Sequence, residues 1–236
     1  MPHILAEVAA AIGTITLDHE SRRNALGEAL VGEVVAALGT FRDAKARVVI
    51  LRAKPGAKVF SAGHDVDELP ETRCDPLGWD DPLRRLVREI EAFPGPVIAM
   101  VEGSVWGGAT ETVLACGLVV AAEGATFAVT PARLGVPYNV GGMLTFLNAA
   151  NLRIVKEMIF TAQPIDAARA ERHGIVNHVV PARELEGDML LKAGRYRLVL
   201  STSKRKPSGL YTWRTGRVVR SSASAAADGG RAMLRG

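Results

Sequence analysis

The sequence predicts an α/β fold, on three observations. Short apolar runs, Val48 to Leu51 and Val97 to Val101, are too brief for core helices, and each leads into a glycine-bearing loop, the pattern of buried strands. Other segments carry apolar residues at helical spacing: Leu30, Val31, Val34, Val35, Leu38 and Phe41 in one, Leu86, Val87, Ile90 and Phe93 in another. The units recur in the order strand, strand, helix. With 236 residues, 48% of them hydrophobic, one sizeable domain is expected, with room for a small appendage.

In chain order, Ile4 to Val8 and Ile12 to Leu17 read as a hairpin, and the loop His19 to Leu26 precedes a first helix from Glu28 to Phe41. The strand Val48 to Leu51 leads through Lys54, Pro55 and Gly56 to a second loop, Phe60 to Leu69. Pro70 to Pro82, rich in Asp and Pro, reads as a mobile loop before the helix Leu83 to Phe93. After Pro96 comes the strand ending at Val101, then a turn through Gly103, Gly107 and Gly108, then a helix from Ala109 through the apolar segment to Cys116. Leu118 to Ala121 and Ala125 to Val129 read as strands, and the pair Gly141 and Gly142 opens another apolar helix. An amphipathic helix from Ile154 stops near Pro164, a short one runs from Ala167 to Arg172 and ends at Gly174, and Ile175 to Val180 is a last strand.

The net charge of +4 hides an uneven distribution. Residues 192–236 hold eleven Lys or Arg against the single acid Asp228, a charge of +10, which leaves −6 on residues 1–191. The basic segment has no aromatic platform or nucleic-acid motif beside it, so a nucleic-acid partner is not expected. No charged segment followed by an apolar run opens the chain, and no apolar stretch is long enough to span a bilayer. A cytoplasmic protein without a membrane partner is the expectation. Cys74 and Cys116 lack metal-ligand spacing, and Cys116 reads as a small buried hydrophobe.

The chemistry starts at the turn Glu102 to Glu111. Gly107 and Gly108 keep no Cβ between backbone and ligand, and amides in the first turn of a helix lack intrahelical acceptors. Such amides can polarise a carbonyl, although a glycine pair also serves close packing alone. The second loop adds Ser61, Ala62, Gly63, His64 and Asp65. Together, Ser61 to Asp65 and Glu102 to Glu111, in this order and roughly forty residues apart by the loop spacing, resemble the crotonase (enoyl-CoA hydratase/isomerase) superfamily. The resemblance runs from about Ala6 to Leu190. It implies a spiral of ββα turns, the ClpP/crotonase architecture, over residues 1–190, and an oxyanion hole that holds an acyl-CoA thioester carbonyl on the N–H groups of His64 and Gly108. It also implies CoA or substrate contacts from Arg22, Asn24, Ala25, Ser61, Ala62, Gly63, Asp65 and Gly107, though an arginine such as Arg22 in a surface loop also serves when merely solvated.

The third loop, Thr130 to Asn139, points to a branch of the family. Hydratases of the family use two carboxylates, one to activate water and one to deliver a proton. Glu111 matches the first, and the second falls on Pro131, which cannot titrate. Thr130-Pro131 with Gly135 to Asn139, and Ser104 to Gly108, are similar instead to the branch that decarboxylates methylmalonyl-CoA. That resemblance implies loss of CO2 from a malonyl-type thioester to leave an enolate, with propionyl-CoA as product. Tyr138 then orients the carboxylate, Thr130 adds a second hydrogen bond, and Glu111 either reprotonates the enolate or stays as a structural carboxylate. By itself, Tyr138 reads equally as a half-buried tyrosine bonded to backbone. No biotin or metal is implied, and coenzyme A enters as part of the substrate. The alternatives are enoyl-CoA hydration or isomerisation, and a catalytically inactive CoA-binding protein. The resemblance further implies a homotrimer or dimer of trimers, packed through C-terminal helices. Residues 191–236 show little helical periodicity and read as an aberrant basic tail in place of those helices, the pattern of a shifted reading frame or a degenerate terminus.

Overall fold

The computed structural model describes residues 2–69, 77–138, 140–187, 189 and 193. All of them lie in the first of the two units into which the chain divides, Met1–Val199. The loop expected from Pro70 is described only from residue 77 onward. Cys74, Asn139 and, apart from Ala193, the basic tail from residue 191 lie outside the described residues.

The chain opens with the expected hairpin, β1 (Ile4–Ala9) against β2 (Ile12–Leu17), and then α1 (Glu28–Asp43). Next come β3 (Val48–Ala53), β4 (Val59–Ser61) and α2 (Pro82–Ala92), followed by β5 (Val97–Val101), β6 (Ser104–Trp106) and α3 (Gly108–Ala115). The third repetition is β7 (Leu118–Ala122), β8 (Thr126–Ala128) and the single turn α4 (Pro131–Leu134). Helices α5 (Val140–Ala149) and α6 (Leu152–Thr161), strand β9 (Ile165–Asp166), helix α7 (Ala167–Arg172) and strand β10 (His178–Val180) complete it.

The first strand of each turn enters one sheet and the second strand enters another. The larger sheet has the order β1-β2-β3-β5-β7-β10, parallel except at the hairpin. The smaller has the order β4-β6-β8-β9, parallel except at β9. This is the spiral of ββα turns. Strand β3 is buried along all six residues because its sheet is covered on both faces. On one face the apolar stripe of α1 (Leu30, Val31, Val34, Leu38 and Phe41) joins the main core; on the other, Val48, Ile50, Ile98, Met100 and Val120 pack with Leu185, Met189 and Ala193. Among the described residues no helix is long and apolar enough to cross a membrane.

The structure departs from the sequence reading at β6. Ser104 to Trp106 is a strand of the smaller sheet, where a turn alone was expected. Only Val105 of its three residues is fully buried, too little to show a periodicity. The last strand is also shorter than expected, because Ile175 and Val176 bond back to Ala170 at the end of α7.

Candidate active site

Strands β4, β6 and β8 are parallel, with Ser61 beside Val105 and Trp106 beside Ala128. They therefore release the chain along one edge, the carboxyl edge, where open parallel sheets place their ligands. His64, Gly108 and Thr130 follow the ends of these three strands within two or three residues. The loops touch. A Cβ on Gly63 would stand 2.5 Å from the Trp106 carbonyl oxygen and 2.9 Å from the Gly108 nitrogen, and one on Gly107 would stand 3.0 Å from Thr130 Oγ1. Both glycines also have the positive φ that disfavours a side chain, +91° at Gly63 and +51° at Gly107. Gly108 differs, because its constraint is space alone: a Cβ there would meet Leu83 Cδ2 at 2.7 Å and the His64 nitrogen at 3.2 Å.

Neighbouring backbone bonds bypass the two amides of interest. The Leu26 N–H donates to the Gly63 carbonyl at 2.7 Å and the Asp65 N–H donates to the Leu26 carbonyl at 3.5 Å, so the bridge opposite His64 uses the Gly63 carbonyl and the Asp65 N–H and not the His64 N–H. The Gly107 N–H donates to the Ala128 carbonyl at 2.8 Å, while Gly108 opens α3 and precedes any intrahelical acceptor. Among the described residues neither the His64 nor the Gly108 N–H has a backbone acceptor.

Behind this row lies Glu111, fully buried in the first turn of α3. Arg84 of α2 ion-pairs with its Oε1, and among the described residues Oε2 has no partner. Burial pushes the Glu111 carboxyl above the usual carboxylate range, against the pull of Arg84. The Tyr138 ring stands edge-on to Phe146, with centroids 5.3 Å apart, and its hydroxyl is also buried, without a partner among the described residues. Burial and then the Glu111 charge hold the phenol above its ordinary range. Gly142 lies between the two groups: a Cβ there would come within 2.9 Å of Tyr138 Cδ1 and 3.3 Å of Glu111 Oε2. Tyr138 and Glu111 thus converge on one enclosed spot.

The His64 ring is held at both ends. Nδ1 is 2.8 Å from the Asp65 carbonyl oxygen and Nε2 is 2.8 Å from Asp81 Oδ2. Both partners are acceptors, so it is the doubly protonated ring that satisfies both contacts. Burial opposes that charge, but the Asp81 hydrogen bond and charge outweigh it and raise the imidazole above its ordinary value.

Apart from Gly107 in the loop after β6, the residues expected to hold CoA line two adjoining loops, and several have their polar groups engaged within the protein. Asn24 accepts from the His19 N–H at 2.8 Å and donates to the Phe60 carbonyl at 2.9 Å. Ser61 Oγ donates to the Asn24 carbonyl at 2.6 Å and accepts from the Gly63 N–H at 3.2 Å, and the Ala62 N–H donates to the Arg23 carbonyl. These bonds, with buried Ala25, pin the first loop to the second. Arg22 is exposed and pairs with Asp65 at 2.9 Å and Asp67 at 2.6 Å. Sequence reasoning missed Asp81, Arg84 and Gly142. Asp81 followed by Pro82 is a legible helix start, an N-cap before a proline at the first helical position, whereas nothing in the spacing couples Arg84 to a glutamate 27 residues away. Among the described residues no group of three or more His, Cys, Asp or Glu is arranged to hold a metal ion.

The model of the enoyl-CoA hydratase/isomerase family matches residues 7–198. Over 175 residues the chain is 49% identical to methylmalonyl-CoA decarboxylase of Escherichia coli (strain K12), covering 74% of this chain and 67% of that protein. It is 35% identical over 187 residues to human mitochondrial enoyl-CoA hydratase domain-containing protein 2, covering 78% of this chain but 63% of the human one. The chain therefore spans about two thirds, or somewhat less, of the length of these relatives. Among solved structures, methylmalonyl-CoA decarboxylase complexed with 2S-carboxypropyl CoA superimposes with a TM-score of 0.80 at 45% identity, covering 82% of this chain and 74% of that one.

Proposed function

The chain belongs to the enoyl-CoA hydratase/isomerase family, and from that membership we propose that it decarboxylates a malonyl-type acyl-CoA, converting methylmalonyl-CoA to propionyl-CoA. The observation that carries this reading is the buried, unpartnered Tyr138 hydroxyl beside Glu111, under a third loop with Pro131 where a hydratase needs a second carboxylate. The relatives agree in part: one is named as this decarboxylase and others carry hydratase names.

The geometry suits the reaction. Adjacent parallel strands lie ~4.8 Å apart. Two N–H donors at about that separation can both reach one oxygen at hydrogen-bonding distance. His64 and Gly108 follow these adjacent strands, with a Cβ on Gly108 only 3.2 Å from the His64 nitrogen, and in this reading their N–H groups receive the thioester oxygen as it becomes an enolate oxyanion. The bond from the α-carbon to the carboxyl carbon breaks, CO2 departs, and the bonding electrons pass into the enolate. No base is needed. Tyr138 donates to the carboxylate and holds it out of the thioester plane, with Thr130 Oγ1 at the Gly107 loop as a second donor. Glu111, whose carboxyl is raised by burial, returns a proton to the α-carbon. Coenzyme A enters with the substrate, and neither biotin nor a metal takes part.

The protein acts in the cytoplasm as a homotrimer or a dimer of trimers, a reading supported by exposed apolar side chains on α5 and α6, among them Val140 at 75% and Phe160 at 76%. Incubation with methylmalonyl-CoA should release CO2 and form propionyl-CoA, followed by chromatography of the thioesters. Hydration of crotonyl-CoA at ordinary enzymatic rates, without CO2 release from methylmalonyl-CoA, would favour the hydratase reading. Inertness toward both, with retained CoA-thioester binding, would leave a binding protein.

A further inference from the structure

We propose that Asp81 is a positioning residue for this site: its carboxylate ties the His64 ring to the first turn of α2, and that turn keeps the oxyanion pair and Glu111 in register. The inference rests on the oxyanion reading of His64 and Gly108.

One turn of helix reaches three expected catalytic residues. Asp81 Oδ2 meets His64 Nε2 at 2.8 Å, with the two side chains 8% and 10% exposed. Leu83 packs where a Gly108 side chain would be, and Arg84 pairs with Glu111. The other oxygen, Oδ1, accepts from the Leu83 N–H at 2.9 Å and the Arg84 N–H at 3.4 Å, so the same carboxylate caps the helix. Capping alone is served by Ser or Asn. What only a carboxylate adds here is an anionic acceptor for a ring whose other nitrogen already donates to the Asp65 carbonyl. With both ends of the ring tied, the side chain anchors the His64 Cα to α2 and so restrains the loop backbone that carries its N–H. Asp81 and Glu68 act on the ring by charge and Asp65 through its backbone carbonyl, and among the described residues Asp81 alone bonds Nε2.

Two variants separate the cap from the tie. Asp81→Asn keeps the cap and the reach to His64 but loses the charge; Asp81→Ser keeps the cap and cannot reach the ring. His64 titration and the His64 and Gly108 amide resonances are followed by NMR in each, beside kcat and KM for methylmalonyl-CoA across pH. The expected result is a lower His64 pKa and shifted amides in both variants, with each variant folded at the assay temperature. Turnover should fall about 10- to 100-fold, the scale of a small misplacement of catalytic groups, with KM changed by less than about threefold since only transition-state contacts are disturbed. An unmoved His64 titration overturns the proposal, as does a moved titration with unchanged amides and unchanged kcat. Wild-type protein inactive on methylmalonyl-CoA, with the His64 and Gly108 amides still shifted in the variants, sinks the decarboxylase reading and leaves the tie standing.

Discussion

Tyr138 holds a hydroxyl that the free protein buries and leaves without a partner. A group in that state costs about 1–3 kcal/mol of stability. Tyr138→Phe should therefore unfold at equal or higher urea concentration than wild type while releasing CO2 more slowly; a less stable variant would mean that the hydroxyl has a protein partner in solution. Glu111 behaves in the opposite way. Glu111→Gln leaves the Arg84 guanidinium buried without its anion, and breaking a buried pair from one side costs about 3–5 kcal/mol. The double variant Arg84→Met with Glu111→Gln should regain much of that loss in denaturant melts, and equal stability of single and double variants would count against the pair. In deuterated water, Glu111→Gln should retain part of its CO2 release and lose most deuterium incorporation at the α-carbon. Tyr138 and Glu111 were singled out because their loops resemble those of the family, and the structure brings the two residues together around Gly142. Arg84 and Gly142 were not, since a contact between distant turns of the chain leaves no local pattern.

At the scale of elements, the join between the β4 and β6 loops can be weighed by comparing two glycines. Gly56 and Gly63 both have positive φ, +77° and +91°, but a Cβ on Gly56 meets nothing within 4 Å whereas one on Gly63 meets the Trp106 carbonyl oxygen. Gly56→Ala carries conformational strain alone, about 1–3 kcal/mol, and Gly63→Ala adds the collision of two backbones. A clearly larger drop in thermal midpoint for Gly63→Ala is expected, and equal drops would mean that the loops are apart. The tie between α2 and the β4 loop has a pH signature. The His64 imidazole is raised in the folded protein, as burial is outweighed by Asp81, with Asp65 and Glu68 on the same side of the balance. Its contribution to stability is therefore complete below the ordinary histidine value of about 6.5 and is lost as pH rises through the folded value. Unfolding free energies from denaturant melts should decline above about pH 6.5 in wild type, and less in Asp81→Asn. The long elements were legible because α1 and β3 show their burial in sequence. Strand β6 was not, because three residues between glycines cannot display a period.

On the scale of the whole molecule, Val140, Leu144 and Leu147 lie at helical spacing on one face of α5, 75%, 52% and 41% exposed. A face of this kind is expected to be covered by another copy of the chain. Leu144→Glu with Leu147→Glu should shift sedimentation toward the single 25.1 kDa chain, and an unchanged profile would place the contact elsewhere. The spiral itself was legible only as a recurrence of strand, strand and helix; that its second strands form their own sheet follows from pairings between residues some forty positions apart, such as Ser61 with Val105. That sheet has a consequence for how such a protein changes. In the proposed mechanism the two amides act from the backbone of consecutive coils without a side-chain functional group, whereas Thr130, two residues after β8, and its neighbour Pro131 count through their own side chains. On that reading, inheritance can keep the anion-holding frame and rewrite the third coil alone, so that enolate formation would be the shared competence and the fate of the enolate the variable one.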